Sequence, residues 1–321
     1  MKRWNAWILA LSAASLLSAA IALPKPAAAE EPEIAIVVKG KKIASDTPPQ
    51  LIDGHVLVPI RVIGEALGAK VSWASASRTV TVRKWSDQAA LTVDRPDAFL
   101  KSDGSYTVRL DAPPRMVGQR VMVPLRFLSQ FFGYQVRWDH RRVEIESSLS
   151  AGDRDVLYHG DLAAARQIAI GLTRHSVQPE IQAHYPATEL LPAAWLFPEG
   201  EALRFYAINF DVLSYIEIED DAAVVRWQAY IQAPPGGKED DPFDNYLHGT
   251  IAEQWGTKPD IRKPLVYLYS VGLGDSNQTY YGTIGTDGKA VQLGYRYEVG
   301  GGTAQSEGIQ QFELADEQRT D

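Results

Sequence analysis

Residues 48–61, Pro-Pro-Gln-Leu-Ile-Asp-Gly-His-Val-Leu-Val-Pro-Ile-Arg, return as residues 113–126, Pro-Pro-Arg-Met-Val-Gly-Gln-Arg-Val-Met-Val-Pro-Leu-Arg. The offset of 65 residues persists without a gap, so Gly68 falls on Gly133, Val71 on Val136 and Trp73 on Trp138, giving nine identities in 26 positions. A period above the roughly 20–50 residues of solenoid repeats points to duplication of a whole supersecondary unit. Val56-Leu57-Val58 and Val121-Met122-Val123 are β-branched runs stopped by Pro59 and Pro124, which cannot donate to a ladder but suit a first helical turn. Ile60, Ile63 and Leu67, repeated as Leu125, Leu128 and Phe132, form the apolar stripe of a two-turn helix, and Gly68 and Gly133 stand where a left-handed residue ends it. Lys70–Trp73, Thr79–Val82 and their counterparts Gln135–Trp138 and Arg142–Ile145 alternate like strands. Each unit reads strand, strand, loop, strand, short helix, strand, strand.

These residues carry a family resemblance. Asp53-Gly54, Leu57-Val58-Pro59, Arg61, Glu65-Ala66-Leu67-Gly68-Ala69 and Trp73 resemble the copper amine oxidase N-terminal, or stalk, domain. The second copy departs from the pattern, with Gln130-Phe131-Phe132-Gly133-Tyr134 in place of the acidic and small residues. The resemblance spans about residues 34–147 and implies a small α+β fold, standing apart from catalysis and common in exported proteins of Gram-positive bacteria. It does not imply amine oxidation. Asn245-Tyr246 has Pro242 and Leu247 where the quinone-forming tyrosine context needs Thr and an acid, and the six histidines contain no His-x-His.

The start of the chain reads as a signal peptide. Lys2 and Arg3 precede an apolar run from Ala6 to Leu23, then Pro24-Lys25-Pro26 and Ala27-Ala28-Ala29, so cleavage is expected after Ala29. An uncleaved anchor is the competing reading, since the apolar run is long enough to be marginal as a span. There is no cysteine, which excludes disulfides, thiol catalysis and cysteine-held zinc. Residues 30–150 carry 17 Lys/Arg against 14 Asp/Glu, a net of +3, whereas residues 151–321 carry 12 against 26, a net of −14. An acidic half disfavours nucleic acid, whose binding rests on neutralised phosphates.

The expected architecture is therefore α+β: a signal peptide over 1–29, a duplicated β-rich unit with short helices over 30–150, and a second, acidic α+β domain over 151–321. In that second domain Asp161 caps a helix running to about Arg174, and Leu203–Phe210, Val224–Ile231, Leu265–Ser270, Tyr280–Ile284 and Ala290–Val299 form an antiparallel sheet with a hairpin turn at Thr286–Lys289. Gly300-Gly301-Gly302 reads as a linker into a polar tail. No nucleophile elbow, zinc helix or phosphate loop occurs, so no catalytic set and no cofactor are assigned. Glu217 and Glu219 read as a solvated sheet face rather than a glycosidase pair. Arg61 and Arg126 read as ties between the helix heads and neighbouring loops rather than an anion site. Glu239, Asp240, Asp241 and Asp244 form an oxygen-rich loop and are the one candidate for calcium, against a solvated acidic loop. Tyr267, Tyr269, Tyr280, Tyr281, Tyr295 and Tyr297 read as cross-strand packing, with sugar stacking as the alternative.

The expected function is that of an exported, non-enzymatic cell-surface protein, in which the repeated unit attaches and the acidic half binds or supports. Its expected partner is a cell-wall or surface polymer or a protein, with no membrane contact after cleavage and no oligomeric state assigned. The alternative is an extracellular enzyme acting on polysaccharide or cell wall, with catalysis in the C-terminal half.

Overall fold

The computed structural model describes residues 34–102, 104–139, 141–184, 191–236, 246–308 and 312–321. The signal segment 1–29 and the calcium candidates Glu239, Asp240, Asp241 and Asp244 lie outside the described residues. The architecture is β-rich α+β, and residues Ile34–Asp321 make one compact unit.

The first part runs β1 (Ala35–Val38), β2 (Lys41–Ile43), β3 (Gln50–Ile52), β4 (His55–Pro59), α1 (Ile60–Ala66), β5 (Lys70–Ala74), β6 (Thr79–Lys84), β7 (Asp87–Thr92), β8 (Asp97–Ser102), β9 (Gly104–Arg109), β10 (Arg115–Val117), β11 (Arg120–Pro124), α2 (Leu125–Phe132), β12 (Gln135–Trp138) and β13 (Arg142–Glu146). The stretch expected as a loop before each helix holds a third short strand, β3 or β10. Pro59 ends β4 with ψ near 110° and caps α1 instead of entering its first turn. Gly68 and Gly133 follow the helices with φ of 76° and 69°, where a side chain is strained.

Elements 65 residues apart meet directly. β4 pairs with β11 so that Val58 faces Val123, Leu57 faces Pro124 and Pro59 faces Met122, within a four-stranded sheet ordered β10-β11-β4-β3. The flanking sheets exchange hairpins. The β1–β2 hairpin joins β12 and β13, with β1 parallel to β13, while β8 and β9 extend β5-β6-β7. Val58, Ile63, Val82, Val123 and Val143 are all fully buried in one shared core.

The second part begins with two helices, α3 (Ala151–His159) and α4 (Leu162–Gly171), where one was expected. Ser150 caps α3 by accepting from the Asp153 N–H at 3.0 Å, and Asp161 caps α4 by accepting from Ala164 at 2.9 Å. α3 escapes sequence reading because only Leu157 of its nine residues is buried, so it shows no stripe. The strands β14 (Arg174–Ser176), β15 (Leu191–Pro198), β16 (Arg204–Asn209), β17 (Val212–Glu219), β18 (Ala222–Gln232), β19 (Thr250–Trp255), β20 (Leu265–Leu273), β21 (Ser276–Ile284), β22 (Ala290–Val299) and β23 (Gly302–Gly308) follow. Their sheet is ordered β14-β18-β17-β16-β15-β20-β21-β22-β23, with β19 also on β18. It is antiparallel except for β14, which runs parallel to β18. Gly300 and Gly301, at φ of 59° and 81°, turn β22 into β23, so the expected linker and polar tail are a hairpin.

One face of this sheet packs Phe197, Phe205, Ile216 and Val225 against α3, α4 and the C-terminal segment. That segment is held by Arg166 of α4, which is fully buried. It donates to the Phe312 carbonyl at 2.7 Å, the Glu201 carbonyl at 2.9 Å and the Glu317 carboxylate at 2.6 Å. The opposite face carries a second core around Trp227, Tyr206, Leu213 and Ile231.

Candidate functional site

The sequence-marked residues separate on the structure. Glu217 and Glu219 both pair with the surface guanidinium of Arg226, a solvated strand arrangement rather than two facing acids. Arg126 reaches Asp111 at 3.0 Å, as a helix-head tie would, whereas Arg61 has no such partner among the described residues. Tyr267 and Tyr281 are buried, and Tyr269 stacks on Tyr280 at 6.0 Å between centroids, with Tyr295 opposite Tyr280 on the next strand. These are cross-strand pairs. Among the described residues no group of His, Asp and Glu is placed to hold a metal ion.

The most concentrated polar chemistry lies where the first part meets the second, and it is built from hairpin tips. Lys39 (φ 50°) follows β1, Trp85 (φ 53°) joins β6 to β7, and Asp220 (φ 56°) with Asp221 (φ 63°) joins β17 to β18. All four sit in the left-handed region that two-residue hairpin turns require. The tips project their side chains into one cluster. Asp220 accepts from Lys84 Nζ at 2.8 Å through Oδ2 and from Lys39 Nζ through Oδ1. Lys84 also donates to Tyr134 Oη at 2.9 Å and lies 4.3 Å from the Trp85 ring centroid.

Electrostatics follow from burial. The Lys84 side chain is 5% exposed, and desolvation pulls its ammonium pKa down. Burial pushes the Asp220 carboxyl up, but the bonds from Lys39 and Lys84 outweigh it and hold the pKa below the ordinary carboxylate value. Tyr134 is raised by burial and by the nearby Asp220 and Asp221 charges, so its hydroxyl stays protonated. Beside this cluster Asp221, 4% exposed, accepts from Tyr158 Oη at 2.8 Å and pairs with Arg154 at 3.2 Å, fastening the same hairpin to α3.

The β6–β7 tip uses every one of its residues. Lys84 binds Asp220, Trp85 stacks on His175 at 4.5 Å, the Ser86 N–H donates to the Ser176 carbonyl at 2.8 Å, and Asp87 meets His175 Nδ1 at 2.7 Å. Sequence reasoning missed Lys84, Trp85, Asp87 and His175. The available signal was the repeat itself: Lys84-Trp85-Ser86-Asp87 has no counterpart 65 residues on, where Leu149-Ser150-Ala151-Gly152 leads into α3.

Ion pairs and a stacked ring thus clamp the first, β-rich part of the chain to the β14 edge and the β17–β18 turn of the second. Residues 37–146 match the sequence family described as the copper amine oxidase N-terminal domain. That segment includes Lys39, Lys84, Trp85, Asp87 and Tyr134 of the clamp, while Asp220, Asp221, His175 and Ser176 fall outside it. No curated protein matches the chain. No helix among the described residues is long and apolar enough to cross a membrane.

Proposed function

We propose that this chain is an exported, non-enzymatic protein of the cell surface, in which residues 30–150 form a duplicated attachment module and residues 151–321 form the domain it presents. The observation that carries this reading is the clamp. A module of the stalk type is held to the acidic half by Lys39, Lys84 and Tyr134 around Asp220, which fixes the presented domain instead of leaving it on a flexible tether. The duplication rests on the constant 65-residue offset and on the Val58–Val123 register, which places equivalent residues opposite one another. No cofactor takes part, and copper amine oxidation is not its activity. Export rests on the N-terminal sequence.

Fractionation of producing cells, followed by sedimentation of the purified full chain with cell wall, tests the proposal. Recovery outside the cytoplasm and saturable co-sedimentation are expected. A cytoplasmic pool, or a protein that stays in the supernatant at every wall concentration, overturns it. Thermal melts in calcium and in chelator are expected to coincide, and a shifted midpoint would assign a metal to the chain.

A further inference from the structure

On the sheet face away from the helices, a cavity of 460 Å³ opens between the sheet and the segments 246–251 and 258–263. Its size falls in the range of small-ligand sites, roughly 300–1,000 Å³. Leu213, Ile231, Leu265 and Ile284, from four different strands, give it an apolar floor.

Two features make it more than a gap in packing. The first is Tyr206, 5% exposed, which lines the cavity while its hydroxyl has no hydrogen-bond partner among the described residues. That hydroxyl is not among the buried unpaired polar atoms, so it opens onto the cavity and is free to donate to a group bound there. Tyr246, 6.2 Å away between ring centroids, adds a second phenol to the wall.

The second is charge. Residues 151–321 hold only 12 Lys/Arg, yet Lys258, Arg262 and Lys263 all line this one cavity. Lys263 is met by Glu201 at 2.7 Å and Arg262 by Asp260 at 2.7 Å, whereas Lys258 has no ion-pair partner among the described residues. Glu201 is shared between Lys263 and Arg204, and no carboxylate is among the described residues that line the cavity, so its polar wall is cationic within a half that is net −14.

We propose that this cavity binds a small amphipathic monoanion, its apolar body on the Leu213–Ile284 floor, its head group accepting from Tyr206 and facing Lys258. Burial raises the pKa of Tyr206 and pushes that of Tyr246 up to about 12, so both phenols remain donors at neutral pH. A cationic or neutral head group forfeits the Lys258 attraction, which makes charge the discriminating variable.

The test is calorimetric titration of the full chain with decanoate, decanol and decyltrimethylammonium. Decanoate is expected to bind saturably, one per chain, with the other two at least about tenfold weaker. Lys258→Glu, an exposed change that spares the fold, is expected to weaken decanoate about tenfold, and Tyr206→Phe about threefold, each with an unchanged melting midpoint. Equal affinity for decanol, an unaltered decanoate affinity in Lys258→Glu, or no decanoate binding at all would overturn the proposal. None of these results depends on where the cell places the protein.

Discussion

Replacing Asp220 by Asn removes the charge that two ammonium groups share while keeping the shape of the hairpin tip. Lys84, 5% exposed, then has no carboxylate within hydrogen-bond reach and keeps only neutral acceptors, the new amide oxygen and the Tyr134 hydroxyl, beside the Trp85 ring. Stranding one member of a fully buried ion pair costs about 3–5 kcal/mol, but Asp220 is 31% exposed and water screens part of the loss, so about 2 kcal/mol is expected. For a chain of this size that is a fall of about 5 °C in melting midpoint. The informative comparison is the double variant Asp220→Asn/Lys84→Met, which removes the stranded ammonium. It should recover stability to within about 1 kcal/mol of the parent. Urea denaturation monitored by tryptophan fluorescence reads both values, Trp85 reporting from the clamp. An Asp220→Asn protein as stable as the parent, or a double variant no better than the single, would refute the account of the clamp as a buried, charge-matched joint.

The same carboxylate makes the clamp sensitive to acid. Its folded pKa is depressed, so its stabilisation is present above the ordinary carboxylate pKa and is lost as pH falls through the folded value. Melting midpoints measured downward from pH 6 should fall less steeply for Asp220→Asn than for the parent. Arg166→Met strands the Glu317 carboxylate, 1% exposed, together with the carbonyls that Arg166 satisfies. A loss of about 3–5 kcal/mol is expected, seen as early proteolytic release of the C-terminal segment. Gly282→Ala places a methyl 2.2 Å from the Val291 carbonyl oxygen and 2.6 Å from the Tyr267 ring. It should cost about 3 kcal/mol by chemical denaturation and perturb the tyrosine near-ultraviolet dichroism.

What could be read in the sequence was local. Pro59, Pro124, Gly68 and Gly133 punctuate the chain whatever surrounds them, and alternating Val and Ile runs declare strands one by one. The Asp161 cap and the Thr286–Lys289 turn were legible for the same reason. The clamp was not, because Lys84 and Asp220 are 136 residues apart and Lys39 and Asp220 are 181 apart, distances over which no periodicity carries information. The adjacent acids at 220 and 221 look alike in sequence, yet one faces the module and the other faces α3. The hairpin at Gly300–Gly302 was hidden by its glycines, which suit a turn and a linker equally. The cavity under Tyr206 draws its walls from six separate stretches of chain and so leaves no motif.

The pairing of β1 with β13 dictates an order of events during synthesis. Ala35 finds Arg142 as its partner, 107 positions later, and the hairpin that extends β5-β6-β7 likewise comes from beyond position 96. A nascent chain that has delivered only the first sixty-five-residue unit therefore has neither a closed sheet nor a sealed core. Loop closure on this scale is slow compared with hairpin and helix formation. The leading strand therefore cannot take its native place in the sheet until nearly half the polypeptide has been made.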